Sequence, residues 1–511
     1  MLYNVLEYLE ETAKRVPERT AFTDGERGLT FRALSDSARA VGSYLGHAIP
    51  VRRPVVILME KSAECIAAFM GAVYAGCFYV PLDSAMPAKR MQLIIDTLEP
   101  AFLIYDEKNK KTLDQLRFSC GTVSYGEAAD GLHTDEALLQ QIRWQAVDTD
   151  LLYVLFTSGS TGVPKGVSIC HRSMLDFTEH SCGPLHFDET IRFGNQVPLH
   201  FDMSTMEIYT TLKMGATTYL IPRRCFLFPK LMMEYLETHR INTVFWVPYA
   251  LLQLSNAGVL DGERLKALHY IYFCGEVMPC KHLNRYRRVL PEAVYCNLYG
   301  PTEITNVCSY YFVDREFADD ETLPIGIPFC NTRIFIVKED GTEAGEGEAG
   351  EILIGGSCLS LGYYNSREIS EKSFVQNPLH DHFRDMVYRT GDLGKFDESG
   401  NLIFLGRKDY QIKHQGYRIE LGEIEAAVSS LEEIEHVCCF HDGEKDYIIC
   451  CYVGDVTDRD ILLQIKKKVP SYMLPDRLLR QEAFPRTLTG KTDRNVLRKL
   501  YEEAEGMGET R

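Results

Sequence analysis

The chain has 511 residues, 45% of them hydrophobic and 25% charged, so it is globular and too long for one ordinary core. Its formal net charge of −17 disfavours nucleic acid or an anionic membrane as partner, while leaving room for a local basic pocket. The 16 cysteines are scattered with no CxxC pair, which points to buried thiols in a reducing cytoplasm and away from a disulfide scaffold or a zinc site.

The amino terminus runs from Met1 straight into Glu7, Glu10 and Glu11, without the basic n-region of a secretory signal. Residues 32–46 and 61–75 have helical spacing, with Val55 to Met59 between them as a strand. The uncharged window Cys65 to Leu82 is broken by Gly71, Gly76 and Pro81, so a buried helix, a turn and a short strand are expected, not a membrane span. Strands follow at Phe102 to Tyr105 and Leu151 to Phe156, a helix at Met206 to Met214 and a strand at Thr217 to Ile221. After a helix at 230–239 come strands at Thr243 to Val247, Tyr270 to Phe273 and Ala293 to Leu298. This alternation predicts an α/β domain with a largely parallel, helix-covered sheet, whose ligands bind beyond the carboxyl ends of the strands.

Beyond about residue 320 short β-rich pieces take over: Arg333 to Val337, Glu351 to Ile354 and Asn401 to Leu405. A break at Gly406 to Asp409 precedes a segment of about 100 residues with helices at 421–430, 459–468 and 494–503 and strands at 434–440 and 446–453, enough for a small α+β domain. The expected division is therefore 1–408, with its β-rich part at about 320–408, and 409–511, with Asp409 as the hinge.

Four loops carry candidate chemistry. Leu155 to Gly166 holds four hydroxyls, three glycines and a lysine, which suit a loop turning backbone N–H groups and hydroxyls toward a phosphate chain; it is not a P-loop, because Pro164 precedes Lys165 and Gly166 follows it. Asn297 to Glu303 offers a flat ring at Tyr299, a hydroxyl at Thr302 and a hard oxygen at Glu303 for Mg²⁺, although an ordinary strand–turn–helix corner would look the same. Tyr388 to Asp392 reads as a tight turn ending in a carboxylate, suited to ribose hydroxyls, although an Asp ending a turn is common on any surface. Leu488 to Arg494 puts Lys491 in a turn before the last helix, where it could stabilise charge or simply be solvated. Asp202 sits in apolar surroundings, either awaiting a cationic partner or capping the next helix.

Together these pieces resemble the adenylate-forming superfamily. The resemblance also takes in Tyr74 to Asp83, Gly406 to Lys413 and Gly416 to Glu425, so seven motifs stand in the family's order along nearly the whole chain. It implies a large domain of packed sheets and helices and a small domain that rotates between two half-reactions. Position by position, it implies that Thr157, Ser158, Gly159, Ser160, Thr161, Gly162 and Lys165 hold the ATP phosphates. Asn297, Tyr299 and Gly275 would hold adenine, Thr302 a phosphate, Glu303 Mg²⁺, and Asp392 and Arg407 the ribose. Lys491 would serve adenylation, Asp409 would be the hinge, and His200 would lie beside the tunnel for a phosphopantetheine thiol.

Asp202 falls where amino-acid-activating members hold the substrate ammonium. The side-chain pocket implied by the resemblance is Met203, Met206, Trp246, Tyr272, Cys274, Leu298, Asn306 and Val307. Bulky Trp246 and Tyr272 imply a small substrate. Phe273 to Pro279 resembles the free-standing ligases that charge a carrier protein with D-alanine. Asn306 is a polar group that could read a serine hydroxyl or bond nearby backbone. The expectation is therefore a free-standing, monomeric enzyme that adenylates a small amino acid and passes it to a separate carrier protein. The alternatives are a peptide-synthetase-like serine activator, an acyl- or aryl-CoA ligase, and a non-catalytic nucleotide-binding module.

Overall fold

The computed structural model describes the chain except for Met1, residues 131–133, 160–162, 409–410, 486–491 and 509–511, and gives backbone alone for 506–508. Two compact units emerge: one of residues 1–84, 95–156 and 166–408, the other of 85–94, 157–165 and 409–511. The chain thus passes between units after Lys408, while two short segments of the amino-terminal part assort with the carboxy-terminal unit, which a contiguous division at 408 did not foresee.

The strand–helix alternation of the first unit builds two sheets, in keeping with the packed sheets that the resemblance implies. Six strands run in the order Gly121–Ser124, Phe102–Tyr105, Pro54–Leu58, Phe78–Pro81, Leu151–Thr157, Lys165–Cys170. Pro54–Leu58 and Phe78–Pro81 are buried along their whole length, as strands covered on both faces must be. Nine strands make the second sheet, with a central parallel run through Val294–Tyr299, Tyr270–Cys274, Thr243–Trp246, Arg192–Asn195 and Thr217–Leu220. The window Cys65 to Leu82 is the expected buried helix Ala63–Tyr74 and strand Phe78–Pro81. Among the described residues no helix is long and apolar enough to cross a membrane.

The β-rich part is an antiparallel sheet of five strands built around Met386–Phe396. Here the sequence reading needs correction, because residues 388–392 are not a tight turn but lie inside that eleven-residue strand. The ladder skips from Leu393 to Arg389 opposite Glu351 and Leu353, so residues 390–392 form a bulge. Gly391 takes φ +72° within it, a conformation open to glycine without strain. The bulge re-aims Asp392.

In the second unit the hairpin Gln411–His414/Tyr417–Glu420 leads into the helix Leu421–Ser429, and a sheet is made by Ile434–Asp442, Tyr447–Gly454 and Arg477–Arg480. Cross-strand partners Cys439 and Cys450 pack with Ile419, Ile424, Val428 and Ile461, while Cys438 and Cys451 pack with Leu497 and Tyr501 of the last helix. Both sheet faces are apolar, so both are covered by helices. Arg494 secures the last helix by bonding Glu425 and Cys438 Sγ.

Strand register decides which side chains share a face of the nine-stranded sheet. Phe245 is opposite Tyr272 and Trp246 opposite Phe273; Tyr272 is opposite Cys296 and Cys274 opposite Leu298. Directly paired residues project to the same side and neighbours alternate. Tyr272, Cys274 and Leu298 therefore share a face with Phe245, and Trp246 points to the other. Trp246 is fully buried there, its indole N–H donating to Gly194 O at 2.7 Å. Trp246→Phe removes that bond and part of the packing volume, and should lower stability by about 1–3 kcal/mol in denaturant titration.

Candidate active site

The strand Val294–Tyr299 and its partner Ser309–Phe312 are joined by a loop that folds back on itself. Cys308 N–H donates to Tyr299 O at 2.7 Å. A β-carbon on Gly300 would stand 2.4 Å from Asn306 O and 2.5 Å from Val307 Cα, so only glycine fits. Thr302–Ile304 forms a single 3₁₀ turn, not the start of a longer helix, and Thr305 and Asn306 follow at φ +62° and +78°. Two consecutive non-glycine residues in the left-handed region cost of order 1–3 kcal/mol each and persist only where surroundings fix them.

Four bonds supply that fixing. Tyr299 Oη donates to Asp392 Oδ2 at 2.5 Å, Tyr363 Oη donates to Glu303 Oε1 at 2.8 Å, Thr305 Oγ1 donates to Cys358 O at 2.7 Å, and Asn306 Nδ2 donates to Asp202 O at 2.7 Å. Arg407 bonds the second oxygen of Asp392 at 2.5 Å. Each oxygen of Asp392 keeps acceptor capacity beyond these bonds, so the carboxylate is oriented without being used up. Burial, and next the Asp392 carboxylate, hold the Tyr299 phenol well above its ordinary pKa, so it remains a donor. Asn297 donates to Pro324 O at 2.8 Å. Beside Gly275 a β-carbon would meet nothing nearer than Val247 Cγ1 at 3.6 Å, leaving room along the strand end. Glu303 is fully buried. Its carboxylate and the Thr302 hydroxyl are hard oxygen donors of the kind Mg²⁺ takes, and the Tyr363 bond fixes the carboxylate's orientation.

On the other face of the same strand ends stand Tyr272, Cys274 and Leu298, all buried. Tyr272 Oη is tied to Leu185 O, which locks its ring. The helix Met203–Met214 carries Met203 and Met206, also buried, and Asp202 caps it by accepting from Met203 N–H at 2.8 Å. Asp202 itself is half-buried. Asn306 bonds Thr205 Oγ1 at 3.1 Å besides Asp202 O, yet its own Oδ1 is buried with no hydrogen-bond partner. Val307 is buried next to it. Of the implied pocket residues, Tyr272, Cys274 and Leu298 share one sheet face, which by register also carries Phe245 while Trp246 lies on the other, and Asn306 is tied to the head of the helix that carries Met203 and Met206.

Sequence reading missed several groups. Asp83 Oδ2 lies 4.0 Å from His200 Nε2; burial lowers the His200 pKa against the opposing pull of Asp83, favouring a neutral ring. Lys61 Nζ donates to Asn195 O and Gln196 O at 3.0 and 3.1 Å, and Asn195 bonds Glu207 on the Asp202 helix. Burial lowers Lys61 and raises Glu207. No local motif marks these residues, since their meaning comes from three segments meeting. In the second unit, Ser158 Oγ donates to Arg418 O at 2.8 Å, and Lys165 opens a strand and pairs with Glu420 at 3.5 Å, although the loop reading put it among free phosphate donors. The Thr157 hydroxyl is buried without a partner, and Gly159 follows in the loop. Ser160, Thr161, Gly162, Asp409 and Lys491 lie outside the described residues.

Residues 9–364 match the AMP-binding enzyme family. The chain belongs to that family. It is 32% identical over 507 residues to the D-alanine--D-alanyl carrier protein ligase of Bacillus cytotoxicus, covering 96% of this chain and 98% of that one. It is also 31% identical over 515 residues to a mycosubtilin synthase polypeptide of Bacillus subtilis, covering 98% of this chain but 19% of that much longer one. Among solved structures, PA1221, an NRPS protein containing adenylation and PCP domains, superposes with TM-score 0.81 at 26% identity, covering 98% of each chain. The Vibrio cholerae adenylation domain AlmE, solved with glycyl-adenosine-5′-phosphate, superposes with TM-score 0.84 at 21% identity over 98% of each chain, a likeness of fold. These matches bear out the reading of an AMP-forming enzyme of the amino-acid-activating branch.

Within the family's site, the Tyr299–Asp392 bond should be measurable by itself. Tyr299→Phe leaves Asp392 with Arg407 alone and should cost about 1–3 kcal/mol in chemical denaturation. Adding Asp392→Asn to that variant should cost clearly less than it does in the parent chain, since the two groups act as one unit.

Proposed function

We propose that this chain activates a small amino acid, D-alanine first, as its adenylate, and transfers it to the phosphopantetheine thiol of a separate carrier protein. The observation that carries the reading is Asp202. It is a half-buried carboxylate at the head of the helix that presents Met203 and Met206, and its backbone is held by Asn306. An amino acid's ammonium is the cation that such a carboxylate would pair with. Near-full-length similarity to a D-alanine--D-alanyl carrier protein ligase supports both the substrate and the carrier.

In the first step a carboxylate oxygen of the amino acid attacks the α-phosphorus of ATP. A new P–O bond forms, the bond to the β,γ-phosphates breaks, and pyrophosphate leaves. The protein's contribution is positioning and charge stabilisation. Asp202 fixes the ammonium, Asn297 and Tyr299 the base, and Asp392 with Arg407 the ribose. The 157–165 loop holds the leaving phosphates, and Lys491 stabilises charge at the reacting centre. Glu303 and Thr302 would hold Mg²⁺, which supplies charge neutralisation on the phosphates. In the second step a thiolate attacks the acyl carbon and AMP leaves, beside a neutral His200.

A polar substrate gains support from one observation, the Asn306 Oδ1 atom buried without a partner. A serine hydroxyl would satisfy it, whereas alanine leaves a desolvated acceptor costing about 1–3 kcal/mol.

The test is amino-acid-dependent exchange of labelled pyrophosphate into ATP across glycine and both hands of alanine and serine. Strongest exchange with D-alanine is expected; a serine maximum abolished by Asn306→Leu would favour the polar reading. No exchange with any amino acid would overturn the function, and ATP binding without exchange would point to a non-catalytic module. Coenzyme A should fail to replace the carrier protein as acceptor. The strand register gives a second expectation. Phe245→Ala should broaden exchange toward larger side chains by roughly tenfold or more, while Trp246→Phe should leave the preference order unchanged.

A further inference from the structure

The second unit carries a cluster that adenylation does not use. His414 ends the strand Gln411–His414, His441 lies near the end of Ile434–Asp442, and Asp446 precedes Tyr447–Gly454. His414 Nδ1 lies 3.1 Å and His441 Nε2 2.8 Å from the same atom, Asp446 Oδ1. The three donor atoms all lie within 4.8 Å of one another. The rings stand at 77° with centroids 5.9 Å apart, so their edges converge on one point instead of stacking.

We propose that His414, His441 and Asp446 bind a zinc-type divalent cation. Two imidazole nitrogens and a carboxylate oxygen suit Zn²⁺ and are a poor set for Mg²⁺, which demands oxygen. Ligand atoms on a tetrahedral Zn²⁺ with bonds of about 2.0–2.1 Å stand roughly 3.4 Å apart. The His414 and His441 nitrogens would have to move about 0.3 and 0.6 Å further from Asp446 Oδ1 to reach that spacing, and they lie within 4.8 Å of one another. His414 is almost wholly buried, whereas the side chains of His441 and Asp446 are 19% and 39% exposed, so the two outer ligands can make that adjustment and a water can complete the fourth position.

The surroundings select the binding tautomer. His414 Nε2 faces Asp476 Oδ2 at 3.9 Å, and that oxygen is fixed by Ile448 N–H at 2.8 Å. A carboxylate on the far side of a ligating imidazole favours the proton on the outer nitrogen and leaves the inner lone pair for the metal. Bound metal would cross-link the 411–420 hairpin to the 434–454 hairpin, which the His414–Asp446 hydrogen bond already joins. The sequence offers no hint of this, because the ligands share no short motif and one of them sits in a turn.

The test uses the full chain carrying Cys330→Ser, which removes an exposed thiol able to bind zinc by itself. After chelator treatment, calorimetric titration with Zn²⁺ should show one equivalent bound, and Co²⁺ should give the intense visible bands of a tetrahedral site. His441→Gln and Asp446→Asn should each weaken Zn²⁺ binding by roughly 10- to 100-fold, with circular dichroism and pyrophosphate exchange unchanged. Absence of Zn²⁺ heat and of Co²⁺ bands in the parent chain would leave only a histidine–carboxylate hydrogen-bond network and overturn the proposal. So would Zn²⁺ binding that both substitutions leave intact.

Discussion

The turn from Tyr299 to Ser309 is the constraint on which the site depends. Its backbone doubles back so tightly that Gly300 touches Asn306 and Val307, and it holds two residues in left-handed conformations. Such a loop would relax if left alone. Its side chains instead reach four separate parts of the chain, near residues 202, 358, 363 and 392. Each bond offsets part of the strain, and together they fix the Asp392 carboxylate, the Glu303 carboxylate and the segment that carries Asp202, the groups to which the proposed adenylation assigns ribose, metal and ammonium. The strained turn and the ordered site are one feature.

The same strand sends successive side chains to opposite faces of the sheet. Asn297 and Tyr299 face one side and Leu298 the other, where it joins Tyr272, Cys274 and Phe245. On the proposed reading, nucleotide and amino-acid side chain would be read by consecutive residues of one rigid strand, a more exact support than a free loop. Behind the Asp202 helix, the buried set of Lys61, Asn195 and Glu207 ties that helix to the strand end preceding His200. Sliding of the helix would break the buried Asn195–Glu207 bond, and losing a buried hydrogen bond is costly.

Much of this was legible in the sequence, for physical reasons that differ by element. Strands such as Phe102–Tyr105 and Thr243–Trp246 are short apolar runs between polar turns, and helices such as Ala63–Tyr74 are uninterrupted by any competing pattern, so period and punctuation suffice. Loop motifs at 297–303 and 388–392 were findable because they concentrate donors and carboxylates. The turn reading of 388–392 failed because Gly391 marks both turns and bulges, and only the partner strands reveal which. The register puts Phe245 on the same face as Tyr272 and Trp246 on the other; a one-residue step in a strand reverses the face, and no local signal separates Phe245 from Trp246. Lys165 read as a loop cation because its pairing with Glu420 joins residues 255 positions apart in the chain. The His414 cluster was invisible for the same reason.

The central claim is that Asp202, held in place from the far side by Asn306, selects an amino acid through its ammonium. The most direct measurement compares kcat/KM for pyrophosphate exchange with D-alanine and with D-lactate, its hydroxy-acid counterpart, in the parent enzyme and in Asp202→Asn. The account predicts a preference for D-alanine of about 10³-fold or more in the parent. In Asp202→Asn that preference should collapse to within about tenfold, through loss of D-alanine activation and not through gain on D-lactate. A preference that survives Asp202→Asn undiminished would contradict it.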